Sequence, residues 1–419
     1  MRTHSAGARL TLLAAVAVFA GGRTLAEQAS VPAAPAGSSA AVAGPSVPGN
    51  PAVRFERQQI RGTYGVGYAV TVADMNGDGR PDVVAISGTQ LTWYENPSWR
   101  EHVALDGRTP KDNVALAPHD IDRDGRMDVA VAATWNPRDT NGGGTLHWTR
   151  QPGAAGETWA LHDISSEPTL HRLRWADVDG RGGPELIVGP LHGRGTSPPE
   201  WNGQGARLLA LTVPANPAGG PWPSEVIDDS LHILHNFTPV RFTRQDRDDL
   251  LVASREGVHL LSRADDGKWT RRLIGEGAPG EIKVGRVGGR RMLATVEAWH
   301  GTTVVVYREP DAGAAPDARW PRTSIDASLA GGHALAWADV DGDGDDELVA
   351  GWREGTGGVV VYDVSRDGVL QSRTPVDLQD MATEDVAAHD LDGDGRPEII
   401  ASGRRTANVV IYWNRGGVR

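Results

Sequence analysis

The sequence has no cysteine. Stability must therefore come from core size and bound metal rather than from disulfides, and a lipid anchor on an N-terminal cysteine is excluded. Long hydrophobic runs are scarce. The longest, Leu10–Ala20, is too short for a comfortable membrane span. Basic residues are outnumbered, giving a net charge of −12, which argues against nucleic acid and anionic membrane surfaces as partners. Phenylalanine is rare, with 4 residues, whereas there are 14 tryptophans, and tryptophan recurring at similar places hints at repeated architecture. The 53 glycines and 27 prolines imply many turns.

The N-terminus reads as an export signal over residues 1–26. Arg2 and Arg9 precede the apolar run, and Thr24-Leu25-Ala26 supplies a small-x-small cleavage site. The expected location is secreted or periplasmic, with no integral span after cleavage. Residues 27–50, rich in Ala, Pro, Ser and Gly, read as a disordered linker.

Residues 51–419 carry one recurring pattern: an apolar strand, an Asp-rich turn, and a second apolar strand. Clear copies have their first acids at Asp74, Asp120, Asp177, Asp339 and Asp390. Successive spacings are 46, 57 and 51 residues, and the 162 residues between Asp177 and Asp339 make three periods of 54. Two worn copies fill that gap, with Arg241 and Arg286 at the first-acid position. Seven copies at this period predict an all-β fold, a seven-bladed β-propeller. The segment Val53 to Ile60 resembles a blade's last strand but precedes the first copy, so the N-terminal strand is expected to close the ring and remove two sheet edges.

Four turns have the alternating acids and glycine that wrap a hard cation such as calcium. They are Asp74, Asn76, Asp78, Asp82; Asp120, Asp122, Asp124, Asp128; Asp339, Asp341, Asp343, Glu347; and Asp390, Asp392, Asp394, Glu398. The third copy has Asp177, Asp179 and Glu185 but Arg181 where a ligand is due, and is expected to bind weakly or not at all. These turns are read as structural.

A second constellation lies at the other end of the inner strands. Six residues before each first-acid position stand Tyr68, Val114, His171, His235, Gly280, His333 and Glu384. Three histidines at one register should converge on the channel axis, where they suit a zinc-type ion with an open position. A hydrogen-bonded polar channel holding water is the alternative. His192-Gly193, Arg255, Trp299-His300, Trp352-Arg353 and Arg404 follow the second strands and should reach the same mouth.

The segments HRLRWADVDG, VGRVGGRRMLATVEAWHG and GHALAWADVDGDGDDELVAGWREG resemble the propeller domain of aldos-2-ulose dehydratases, over most of residues 51–419. The Asp turns are generic to FG-GAP/VCBS-type calcium-binding propellers. The resemblance implies a zinc-containing dehydratase acting on keto-sugars such as 1,5-anhydrofructose. It puts forward His171, His235 and His333 as metal ligands, with His300, Glu297 and His192 nearby. Members continue into cupin domains that host an isomerase step, and that step is not implied here. Water elimination needs a base, an acid and a stabilised enolate, and His300, Glu297, His192 and Arg353 supply these types. The alternative is a non-catalytic calcium-stabilised propeller that binds carbohydrate or protein. A third reading, a lyase on acidic polysaccharide, would use Arg255, Arg353 and Arg404. The expected partner is a small sugar or glycan.

Overall fold

In the computed structural model, residues 44–154 and 156–417 are described. The expected signal peptide and most of the expected linker lie outside them. All regular structure among the described residues is β-strand, arranged as seven four-stranded antiparallel sheets. Blade one is built from Gly67–Ala73, Asp82–Ser87, Gln90–Glu95 and Arg100–Asp106. Both worn copies form complete blades: Asn236–Val240 through Trp269–Gly275 is blade four, and Glu281–Val287 through Arg322–Asp326 is blade five.

Burial changes systematically across a blade. The second strand is sandwiched between neighbouring blades and is apolar throughout, as in Val83-Val84-Ala85-Ile86, all fully buried. The fourth strand borders solvent and is mixed, as in Arg100–Asp106. Apolar contact between sheets, rather than within one, therefore supplies the core.

The ring closes as expected. Phe55–Arg61 pairs antiparallel with Val409–Asn414, with Phe55 opposite Asn414 and Arg57 opposite Tyr412, so the N-terminal strand is the fourth strand of blade seven. Across the seam, Val70 N–H donates to the Asp385 carboxylate and Ser402 Oγ donates to Gly67 O.

The expected linker ends within the described residues. Its last residues, 44–50, lie along blade six: Arg373 N–H donates to Pro48 O, and Asn50 donates to Asp341 Oδ2 at 2.7 Å. Asn50 also gives its backbone N–H to Thr374 Oγ1. Pro45 and Pro48 have no backbone N–H, and blade six supplies the acceptor for that of Asn50.

Candidate metal centre

The seven register positions gather at one channel mouth for a local reason. In blades one, three, six and seven the pairing of the first two strands slips at Tyr68, His171, His333 and Glu384, leaving each as the unpaired residue of a bulge. A bulge re-aims a side chain without ending the strand. In blade four His235 stands just before its strand, its backbone N–H held by Ala253 O.

Four histidines meet at this mouth. His171 Nε2 lies 3.2 Å from His235 Nε2, and His300 Nε2 lies 2.7 Å from it. Ring centroids of His300 and His333 are 4.7 Å apart, and those of His235 and His333 are 5.2 Å apart. His235, His300 and His333 each offer a ring nitrogen, all within 4.8 Å of one another. The structure thus brings together the expected His171, His235 and His333, but the tightest trio takes His300 in place of His171. His171 sits at the edge, stacked on Trp135 at 4.5 Å.

Gly280 explains how His300 arrives. A Cβ there would meet His300 N at 3.0 Å and Trp299 Cδ1 at 3.1 Å. Blade five gives up its own register side chain and admits the 299–300 loop, where His300 adopts φ 56°.

The groups around the rings differ in kind. His333 Nδ1 faces Glu384 O at 2.5 Å, and His235 Nδ1 faces Gly280 O. A carbonyl at Nδ1 fixes the proton there and leaves the Nε2 lone pair toward the axis, which is how metal-binding imidazoles are held. His300 Nδ1 instead faces the Arg353 guanidinium at 3.0 Å. Burial holds all four imidazoles well below their usual pKa, with Arg172 and Arg353 pushing the same way. As neutral rings His235 and His333 present an Nε2 lone pair, whereas His300, accepting from Arg353 at Nδ1, carries its proton on Nε2 and gives it to His235 Nε2.

The other expected site residues divide. Arg353 reaches the mouth, but it is also paired with Glu384 at 2.9 Å, and Arg404 pairs with the same carboxylate. Burial raises the Glu384 pKa, yet Arg353 and Arg404 outweigh it and keep the group ionised. Glu297 is not free to act as a base. Its carboxylate is held by Thr295 Oγ1, Tyr307 OH and the Arg322 guanidinium, because the strand ends beside those side chains before the loop turns inward. His192 does not join the cluster despite the LHG and WHG echo. It is buried flat against Trp201, with ring centroids 3.8 Å apart, and burial pushes its pKa down to about 3. Arg255 binds Glu200 O and lies beside Glu256. Arg172, unremarked in the sequence reading, stands beside His171 at the bulge; its adjacency to a register histidine was the available signal.

At the opposite end of the strands, each Asp turn is scaffolded alike. In blade seven Gly393 N–H and Gly395 N–H donate to Asp390, and Leu391 N–H donates to Glu398. The glycines have φ near +80°, where a side chain would strain the turn. Carboxylate oxygens converge in the trios Asp120, Asp122, Asp128; Asp339, Asp341, Glu347; and Asp390, Asp392, Glu398. Asp177, Asp179 and Glu185 converge too, with Arg181, 84% exposed, 3.5 Å from Asp179 Oδ2. In blade one Gly77 N–H and Gly79 N–H bind Asp74, and Asp78 N–H binds Asn76. Blade two differs: Arg150 enters its turn, 2.5 Å from Asp122 and 2.9 Å from Asp124. The worn turn of blade four needs no cation, since Thr243 gives its hydroxyl and N–H to Asp249.

Comparison with known proteins agrees with this architecture. Residues 143–310 match the aldos-2-ulose dehydratase β-propeller domain, and residues 74–131 match an FG-GAP-like repeat. Aldos-2-ulose dehydratase of Phanerodontia chrysosporium is 27% identical over 317 residues, covering 68% of this chain and 33% of the relative. The chain thus spans about a third of that relative's length. Among solved structures, BBS1N in complex with ARL6DN superposes with a TM-score of 0.54 at 14% identity, covering 88% of this chain and 99% of that one. Virginiamycin B lyase from Staphylococcus aureus gives 0.53 at 11% identity, covering 86% and 99%. These two share the fold alone. By architecture the chain is a seven-bladed β-propeller, and by sequence it carries an FG-GAP-like repeat and resembles the propeller domain of the aldos-2-ulose dehydratases.

Proposed function

We propose that the chain is an exported, metal-dependent dehydratase that eliminates water from a small keto-sugar, with calcium in its Asp-rich turns as a structural ion. The observation that carries this reading is the meeting of four neutral histidines from four blades, two of them holding Nδ1 against a backbone carbonyl. The donor set fits a zinc-type ion: imidazole nitrogens from His235, His300 and His333, with His300 passing on its Nε2 proton when the ion binds. When bound, that ion would supply a Lewis acid for a carbonyl oxygen.

The chain's own groups do the rest. His171 is neutral, stands at the edge of the trio and is the group placed to accept the proton beside the carbonyl. Trp135 packs on its face and fixes the ring. Trp299 stacks on His300 at 4.9 Å and walls the mouth against water. Arg353 orients His300 from behind while Glu384 keeps the guanidinium in place. His300 and Arg353 retain their expected place in the site; Glu297 and His192 serve the wall rather than the chemistry.

The test is turnover of 1,5-anhydrofructose, followed by the absorbance of an unsaturated ketone. Zinc-loaded protein should turn over, and His171→Ala should lose at least 100-fold in kcat with its zinc retained, on the scale of a lost general base. Zinc-loaded protein that is inert toward 1,5-anhydrofructose and other small keto-sugars would contradict the reading. One observation favours a second reading, a sugar-binding propeller without chemistry: the expected carboxylate base, Glu297, is fully engaged. Saturable sugar binding without turnover would favour it.

A further inference from the structure

The channel below the histidines is lined by charged side chains from blades three, five and seven, and nearly every charge there is matched. Glu281 accepts from Asn236 and from Lys283, the latter at 2.8 Å. Asp385 accepts from Val70 N–H and Val386 N–H. Glu384 is shared by Arg353 and Arg404. Two guanidiniums are exceptions: half-buried Arg174 meets only Leu173 O at 2.7 Å, and Arg172 is the more deeply buried of the two. It is 9% exposed, and its guanidinium touches only its neighbour His171, at the carbonyl (3.2 Å) and at Nδ1 (3.5 Å). It forms no ion pair among the described residues. Its Nε and second amino group make no hydrogen bond and stay reachable from the channel.

An unpaired buried guanidinium is costly, and a fold retains one where something binds it. Arg172 feels Glu281 of blade five and Asp385 and Glu384 of blade seven at once, which places its charge near the axis. Arg174 and Lys283 are the other cations there, so three positive groups face the two carboxylates of Glu281 and Asp385. Cations therefore outnumber carboxylates there. At the mouth, Arg353 and Arg404 share Glu384, and Asp112 near Arg404 also has Lys111 beside it, so positive groups outnumber carboxylates there too.

We propose that Arg172 is the recognition group for an organic anion, a carboxylate, that enters the channel beside His171. The planar fork of a guanidinium matches two carboxylate oxygens, and the excess of cations over carboxylates favours an anion. The ligand class is then a small acid, such as a sugar acid, whose polar body faces the Trp135 and Trp299 walls. The assignment does not depend on whether the histidines hold a metal.

The test is calorimetric titration of the full chain with D-glucuronate and with its uncharged methyl ester. The acid should bind at least ten-fold tighter than the ester, Arg172→Gln should abolish that preference, and Arg172→Lys should keep part of it. His235→Ala, which removes the metal-type ligand, should leave the preference intact. Equal affinity for acid and ester in the wild-type chain overturns the proposal and needs no variant to be read, so a misfolded Arg172→Gln protein does not obscure the result. A preference lost in His235→Ala but kept in Arg172→Gln assigns the anion to a metal and also overturns it. Inorganic phosphate binding more tightly than acetate would overturn the choice of a carboxylate.

Discussion

Gly280 shows at the scale of one residue how the axial site was only half legible. Its register was readable from the spacing, and so was the convergence of His171, His235 and His333, because strand period and repeat length fix where an inner strand begins. That an empty position admits a loop was not readable, since nothing in a glycine announces which neighbour fills its space. His300 therefore stood in the sequence as a nearby base and stands in the structure within the tight trio. Gly280→Ala isolates this effect. Its Cβ would press on His300 N at 3.0 Å, so the loop must give way by a few tenths of an ångström. Overpacking of this kind costs about 1–3 kcal/mol. The variant should fold, keep its calcium-dependent melting, and lose zinc affinity at least ten-fold in a competition titration with a chelating dye. Unchanged affinity would show that His300 is not a ligand.

The element that repeats most faithfully is the Asp turn, and its spacing alone sufficed to count the blades. Its charge balance did not follow from spacing. Arg181 stands in the motif yet is 84% exposed and 3.5 Å from Asp179, whereas Arg150, outside the motif, enters the turn of blade two at 2.5 Å from Asp122. Side-chain reach across strands decides both cases. The ninth-position acids are buried among other carboxylates, and this raises the pKa of Asp128 to about 6, of Glu185 and Glu398 to about 7, and of Glu347 to about 8. In each case desolvation by burial is the largest cause. A raised folded-state value means that the native chain holds more protons than the unfolded chain between the two pKa values. Stability in chelator should then fall as pH rises from about 4.5 towards 8. A bound cation replaces those protons, so the gain in melting temperature on adding calcium should grow between pH 5 and pH 8. Differential scanning calorimetry at both pH values, with and without calcium, measures it; a gain independent of pH would contradict the turn electrostatics. Asp392→Ala removes one ligand of blade seven and should cost on the order of 2 kcal/mol of the calcium-dependent stability, the scale of losing one well-saturated ligand.

For the whole molecule, closure by the N-terminal strand makes the ring one cooperative object. Removing residues 1–61 would leave Val409–Asn414 as an open apolar edge. The truncated chain should elute as aggregates in size-exclusion chromatography, whereas removing only residues 1–43 should leave a folded ring. A monomeric, cooperatively melting chain lacking residues 1–61 would contradict closure as the source of integrity. The closing strand was legible because a displaced blade-end pattern precedes the first copy. The docking of residues 44–50 on blade six was not, since a Pro- and Gly-rich stretch has no hydrophobic period to reveal its partner. The two proposed ion sets lie at opposite ends of the inner strands, so one should empty without the other. Elemental analysis of the dialysed full chain, wild type against the triple alanine variant at His235, His300 and His333, tests this arrangement most directly. The account predicts one zinc per wild-type chain, none in the variant, and the same calcium content and calcium-dependent melting in both. Full zinc retained by the variant, or calcium lost along with the histidines, would contradict it.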